Sequence, residues 1–329
     1  MPRTVQAQHD RFALTRPFRI ARGEKSFADV ITVTVSEGGV AGRGEGVPYA
    51  RYGESIEAAL AAVESVRPAL EAGLERRALL ALLPPGAARN AIDCALWDLE
   101  ARRSGRDVGD LLGIPAAGPL ASALTIVIDA PSAMAAAAAR AGSAPLLKIK
   151  VDAVRPGERI FAVRAAARGA ALIVDPNESW DQAIVEAMQP ALAEAGVALL
   201  EQPVPAGSDA WLEGFEPAVP ICADESVHVA EDLDTVARRY QAVNVKLDKA
   251  GGLTAAVELA QAARARGLGV MTGCMVSSSL SIAPALHVAA LSDFADLDGP
   301  LWLREDRPGG VREEDGILFP PERGFWGSS

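Results

Sequence analysis

Lysine is nearly absent from this chain. Of 32 cationic side chains in 329 residues only five are lysine, and four of those sit in two short stretches, Lys148-Ile149-Lys150 and Lys246-Leu247-Asp248-Lys249. Guanidinium stays protonated in proteins, whereas a buried or cation-flanked ammonium can release its proton near neutral pH. In a chain that otherwise uses arginine, the surviving lysines are therefore candidates for acid/base chemistry. Coding bias would explain their scarcity, though not their clustering. Histidine is almost as rare. His9, His228 and His287 share no ligand-like spacing and none accompanies a nucleophile motif, which leaves a Ser/His/Asp hydrolase with little support. The three cysteines, Cys94, Cys222 and Cys274, are odd in number and set mostly among apolar or small residues, which suits reduced, buried thiols and excludes a disulfide framework. Cys274 has no evident histidine partner.

Long apolar runs are missing too. None reaches the about 18 residues needed to span a bilayer, and Met1 to His9 contains no signal-type apolar region. The expectation is a soluble cytoplasmic protein. A net charge of −11 makes nucleic acid and anionic membrane surfaces poor partners, so an anionic ligand must be met by local positive groups or by a metal. What the chain does have is apolar material, 50% of its residues, enough for one barrel-sized domain and a smaller companion.

From about residue 120 onward, apolar runs alternate with alanine-rich helical stretches. The runs are 121–128, 146–151, 171–174, 197–200, 219–223, 242–247, 268–271 and 294–297. Runs with little alternation suit parallel strands covered on both faces, and the succession of strand and helix predicts βαβ units. The ionisable residues in or closing these runs recur at a near-constant step: Lys150 to Asp175 is 25 residues, on to Glu201 is 26, on to Asp224 is 23, on to Lys246 is 22, and Asp296 follows after 50. One ionisable group near the carboxyl end of each strand predicts a parallel β/α barrel with its active site at that mouth.

Before residue 120 the texture differs. Residues 31–35 read as a strand, Gly38-Gly39 as a turn and 40–46 as a glycine-rich return, followed by amphipathic helices over 55–70 and 88–103. The Gly42/Gly44/Gly46 spacing misses the dinucleotide fingerprint and precedes no βαβ unit, so it is assigned to a loop. The segment Gly316 to Pro321 has lost the helical pattern and is expected to pack back on the first domain.

Asp175, Glu201 and Asp224 each follow an apolar run directly, so three neighbouring strands contribute one carboxylate apiece. Like charges so close repel unless a cation sits among them, and all-oxygen ligation suits Mg²⁺. The alternative is that they cap the following helices. Asn177 and Glu225 could be further ligands or supports. Lys148 and Lys150, two apart on a strand, point to one face, where each ammonium makes the other harder to charge. Lys246, four strands on, would face Lys150 across the barrel. A carbon acid between two amines could lose a proton to one and regain it from the other on its opposite face, which is 1,1-proton transfer, with the metal and Lys148 stabilising the enolate oxygens. Buried ion pairs without proton transfer are the plainer alternative.

Lys148-Ile-Lys150, the Asp175/Glu201/Asp224 series, the stretch from Asn244 to Gly252 and the helix from Asn90 to Asp98 resemble the enolase superfamily, muconate-lactonizing subgroup, over essentially the whole chain. The resemblance implies a modified (β/α)₇β TIM-type barrel over 116–309, an N-terminal α+β capping domain over 1–115 joined by the tail 310–329, and Mg²⁺ on Asp175, Glu201 and Asp224. Asp296-Leu-Asp298 resembles the Asp-x-Asp with which dipeptide epimerases meet a substrate ammonium. Arg22 resembles the capping-loop arginine that meets the distal carboxylate in L-Ala-D/L-Glu epimerases. Thr125 and the stretch from Gly273 to Ser278, with Met275, resemble substrate-lining positions. The implied activity is Mg²⁺-dependent epimerisation of a dipeptide, with a cycloisomerase, an o-succinylbenzoate synthase or a ligand-binding barrel as alternatives. A homo-oligomer stays open.

Overall fold

In the computed structural model, residues 2–115 and 117–328 are described. The boundary drawn between 115 and 116 touches Ala116, outside the described residues. The chain begins with a three-stranded antiparallel sheet, β1 (Thr4–Ile20), β2 (Gly23–Glu37) and β3 (Val40–Gly46), in that order. Alternate residues of β2, Ile31, Val33 and Val35, point to one side and are buried against α1 (Ile56–Glu71), α2 (Arg76–Leu82) and α3 (Ala87–Ser104). Ser55 starts α1 by accepting from Ala58 N at 3.1 Å, and α3 stops at Gly105, whose φ of 67° a side chain would strain.

Two expectations change here. The long strand β1 was not foreseen, because its residues are mostly polar or exposed and only Val5 and Leu14 are buried. The glycines of 40–46 are strand, not loop. A Cβ on Gly42 would lie 2.2 Å from Leu99 N, on Gly44 2.1 Å from Ala91 O and on Gly46 2.2 Å from Ala87 O. Every second residue of β3 is glycine because α3 lies directly on the strand's backbone.

After α4 (Val108–Leu112) and the two-residue β4 (Leu120–Ala121), the barrel strands run β5 (Leu124–Ile126), β6 (Leu146–Lys150), β7 (Ala171–Asp175), β8 (Val197–Glu201), β9 (Ile221–Ala223), β10 (Ala242–Val245), β11 (Gly269–Gly273) and β12 (Phe294–Asp296). They form one eight-stranded sheet whose neighbours pair in parallel in chain order, and helices α5 (Pro131–Arg140), α6 (Pro156–Ala166), α7 (Gln182–Glu194), α8 (Leu233–Val236), α9 (Leu247–Ala250), α10 (Leu253–Ala265) and α11 (Ser279–Ala289) intervene. All eight expected runs are strands. The first is shorter than expected, because Leu120 and Ala121 pair instead with β14 (Ile317–Phe319), itself paired with β13 (Arg312–Glu314).

The sheet is almost closed. Between β5 and β12 no ladder forms; Ala123 N donates to Ala295 O at 2.8 Å, Leu297 N to Ser122 Oγ at 2.9 Å and Thr125 N to Asp298 Oδ2 at 2.8 Å. The end of the tail meets the first domain, where Gly327 N donates to Asp98 Oδ1 (2.8 Å), Arg102 Nη2 to Gly324 O (2.8 Å) and Trp326 Nε1 to Arg43 O (2.9 Å). Residues 317–319 pair with β4 rather than with the first sheet. No helix among the described residues is long and apolar enough to cross a membrane.

Candidate active site

The barrel interior is layered. At the amino ends of the strands Leu146, Ile173, Leu199, Cys222, Ala242 and Met271 form a small apolar cluster. Two or four residues further on, on the same inward face, stand Lys148, Lys150, Asp175, Glu201, Asp224, Asn244, Lys246 and Asp296, all buried. The period-2 geometry of the strands thus carries these side chains to one mouth. Above it a cavity of about 220 Å³ is lined by Lys148, Lys150 and Lys246 from the barrel, by Thr125, Met275, Asp296 and Asp298 from other strand ends, and by Phe18, Ile20, Arg22, Lys25, Tyr49 and Tyr52 from the cap. The pocket side chains of the cap other than Arg22 were not foreseen: nothing in the sequence marks an isolated tyrosine or phenylalanine as overhanging a barrel.

The charges are paired among themselves. Lys148 Nζ lies 2.7 Å from Glu201 Oε2, 2.8 Å from Asp296 Oδ2 and 3.1 Å from Asp175 Oδ2. Lys150 Nζ donates to Asp175 Oδ2 at 2.5 Å. Lys246 Nζ donates to Asp224 Oδ2 at 2.7 Å, and Lys249 Nζ to Asp224 Oδ1 at 2.6 Å. Burial disfavours the Lys148 ammonium, but Asp296, Glu201 and Asp175 outweigh it and hold Lys148 well above the ordinary lysine value. Lys148 thus stays charged, the state in which one lysine of the pair supplies positive field to its neighbour. Burial opposes the charge of Lys246 likewise, and Asp224 reverses the effect. Among the acids, burial would raise Asp175, yet Lys150 and Lys148 hold it down, whereas burial followed by repulsion from Asp175 pushes Glu201 up.

Whether these acids suit a cation can be read from their oxygens. Among the described residues no three acidic, histidine or cysteine side chains stand as a ready-made metal site, since the lysine ammoniums lie among the carboxylates. In kind, however, the donors fit a hard divalent ion: three fully buried carboxylates from adjacent strands, with Asn177 Oδ1 and Asn244 Oδ1 beside them accepting no hydrogen bond. Glu201 Oε2 has only its ion contact with Lys148.

Other motif residues turn out to be supports. Asp248 Oδ1 accepts from Val47 N and from Asn90 Nδ2, both at 2.8 Å, and burial pushes its carboxyl up to about 7. Asp93 accepts from Thr254 N (2.9 Å) and Thr254 Oγ1 (2.6 Å), and Arg89 Nε donates to Gly251 O (3.0 Å). The Asn90–Asp98 stretch of α3 and the segment from α9 to Thr254 are thus bolted together beside Lys246. Gln202, not foreseen, sits at φ 30° and accepts from Asp224 N (2.8 Å) and Ser226 N (3.1 Å), setting the angle of Asp224. Glu225 meets Arg22 Nη1 at 2.7 Å. Asp298 Oδ2 accepts from Thr125 N and, at 3.2 Å, from the Trp302 indole, while Asp296 Oδ1 has no hydrogen-bond partner.

A parallel barrel under an antiparallel cap, with three carboxylates on successive strands flanked by lysines at one mouth, defines a class that the comparisons identify. Residues 3–113 match the mandelate racemase / muconate lactonizing enzyme N-terminal domain family and residues 132–325 the enolase C-terminal domain-like family. The chain belongs to the enolase superfamily and is an isomerase. It is 49% identical to the L-Ala-D/L-Glu epimerase of Escherichia coli over 307 residues, 92% of this chain and 95% of that one. A solved enolase family member from Agrobacterium tumefaciens, homologous to dipeptide epimerases and holding sodium and L-Ala-L-Glu, superposes with a TM-score of 0.96 at 48% identity, covering 99% of this chain and 100% of that one. A dipeptide epimerase from Methylococcus capsulatus complexed with Mg and L-Arg-D-Lys gives a TM-score of 0.89 at 34% identity, covering 98% of each chain.

Proposed function

We propose that this enzyme epimerises dipeptides at the α-carbon of their C-terminal residue, L-Ala-D/L-Glu among them, by Mg²⁺-dependent 1,1-proton transfer. The observation that carries the reading is the pair of buried amines, Lys150 on the second barrel strand and Lys246 after the sixth, lining one cavity from opposite sides of the ring. The likeness to a chain that holds L-Ala-L-Glu and to an epimerase that acts on L-Ala-D/L-Glu supports it.

Lys150 and Lys246 are the proton carriers: one takes the α-proton from its face of the substrate, the other returns a proton to the opposite face, and the configuration inverts. Lys148, held charged by its carboxylates, meets the negative charge that develops on the substrate carboxylate as the α-carbon becomes an enolate. Asp175, Glu201 and Asp224 are the residues that would hold Mg²⁺, and the ion, when bound, supplies fixed positive charge beside that carboxylate. Asp296, with its free Oδ1, offers an acceptor to the substrate ammonium. Thr125 and Met275 shape the wall between, and side chains of the cap roof the cavity.

The test is direct. Purified protein is incubated with MgCl₂ and L-Ala-L-Glu in D₂O and followed by ¹H NMR. Loss of the glutamate α-proton signal with growth of the diastereomer's resonances, both stopped by EDTA and restored by Mg²⁺, is the expected result; no exchange with any member of a dipeptide panel sinks the proposal.

A further inference from the structure

Trp302 is buried one side chain back from the cavity, and the chemistry above does not use it. We infer that Trp302 is a positioning residue for substrate binding: its indole N–H sets the carboxylate of Asp298 for the substrate ammonium, and a bulge of β1 holds the indole in place. The inference rests on the dipeptide reading and names what orients the acidic pair in it.

The local geometry begins with a short turn. Asp298 stands at the head of the 3₁₀ turn Gly299–Trp302, which follows β12 and brings the tryptophan back beside the acid. Trp302 Nε1 donates to Asp298 Oδ2 at 3.2 Å, and Thr125 N, from the facing β5, donates to the same oxygen at 2.8 Å. A carboxylate turns easily about its last torsion, so two donors from two segments on one oxygen set its plane. Both bonds end on Oδ2, which leaves Oδ1 to a ligand, and Asp298 lines the cavity.

Asp298 needs such donors. It is buried beside Asp296, and burial first and repulsion from Asp296 second push its carboxyl up to about 6, against the opposing hydrogen bonds from Thr125 and Trp302. Among the described residues no cation pairs with it, whereas Asp296 already meets the Lys148 ammonium at 2.8 Å. Neutral donors alone therefore keep Asp298 ready for a cation to arrive.

Trp302 is in turn held by the cap. The β1–β2 ladder slips between Ala13 and Phe18, and the residues released from it clasp the turn. Leu14 pairs with Leu303, Arg304 N donates to Ala13 O at 2.8 Å, and Thr15 Oγ1 donates to Trp302 O at 3.3 Å. The Arg16 guanidinium lies 4.6 Å from the indole centroid, and Phe18 meets the ring edge-on at 4.7 Å. Any large ring would serve the packing; an N–H aimed at a buried carboxylate of the cavity wall marks a second task. Phe18 lines the cavity as well, so one bulge of the cap shapes a wall of the pocket and, through Trp302, the acid beside it.

The experiment uses full-length protein with saturating Mg²⁺. It compares the wild type, Trp302→Phe, and protein in which Trp302 is replaced by β-(3-benzothienyl)alanine, whose ring keeps the shape of indole with sulfur in place of N–H. L-Ala-L-Glu is the substrate for α-proton exchange, and N-propionyl-L-glutamate, the same molecule without its amine, is the competitive inhibitor. Both replacements are expected to lower kcat/KM for L-Ala-L-Glu about 10-fold, through KM with kcat changed less than about threefold, and to leave Ki for N-propionyl-L-glutamate within about threefold. Equal weakening of substrate and inhibitor, no weakening of the substrate, or a loss in Trp302→Phe that the benzothienyl ring restores would each make Trp302 a packing residue only. Those outcomes overturn the inference and leave dipeptide epimerisation standing. A wild type that exchanges no dipeptide overturns both together.

Discussion

Replacing Gly44 by alanine tests how tightly the cap is seated on its own helix. The added Cβ would fall 2.1 Å from Ala91 O, 2.6 Å from Ala95 N and 3.0 Å from Cys94 Cβ, where ordinary contact begins at 3.4 Å. Two of those atoms are backbone and the third is the root of a side chain, so no rotamer change relieves the clash, and β3 must withdraw from α3 by about 1.3 Å. A gap of that size forfeits half or more of the dispersion energy between the facing surfaces, here those of Ala91 and Ala95, both fully buried. Overpacking in a tight core costs up to about 3 kcal/mol, and a chain of this length, unfolding with about 0.7 kcal/mol/K of entropy, should melt about 4 °C lower. Differential scanning calorimetry reads this directly. Gly118→Ala, which meets nothing within 4 Å, is the control. Exchange activity should fall as well, because Asn90 on α3 holds Asp248 two residues beyond Lys246. A Gly44→Ala protein that melts within 1 °C of the control would refute the idea that these glycines exist to admit the helix.

Lys150→Met and Lys246→Met should each abolish interconversion of the epimers, by about 10³-fold or more, while each leaves α-proton exchange of one epimer only, and of opposite epimers in the two variants; equal residual exchange of both epimers in either variant would rule out bases on opposite faces. Asp296→Asn should raise KM for L-Ala-L-Glu by about 10-fold or more through loss of the ammonium partner, whereas a cycloisomerase or o-succinylbenzoate synthase would not need it; unchanged KM would count for those reactions. His287, buried beside Trp326 with Nδ1 making no hydrogen bond, is pushed down to about 4 by burial against a weaker pull from Asp107. Between pH 6.5 and 4 the unfolded chain binds the extra proton and the folded one does not, so stability is lost as pH falls through that window, by about 3 kcal/mol at most. Chemical denaturation of the wild type and His287→Gln at pH 7 and pH 4 should show the difference between them shifting by that order, and parallel curves would contradict it.

The barrel was legible because parallel strands are covered on both faces, and their apolar runs stand out from alanine-rich helices. The site was legible because successive strand ends put an ionisable group at a regular interval. Which lysine holds which acid was not, since it depends on how far each side chain reaches across the mouth: Lys148 stands level with Ile173 and, through it, with Leu199, yet its ammonium meets Glu201, two residues further along β8. The strand β1 hid behind its polar residues. The glycines of β3 misled because a sequence shows which residues lack a side chain, not what lies in the space left free. Asp248 and Asn90 lay within motifs, yet only their three-dimensional pairing marks them as fasteners.

The seam between β5 and β12 has a mechanical consequence. Elsewhere the wall of the barrel is stitched by ladders, but here Ser122 and Asp298 act as two buttons beside one backbone stitch. Thr125 and Asp298 border both the seam and the cavity, so what fastens the barrel wall at this edge is also part of the surface that a ligand meets.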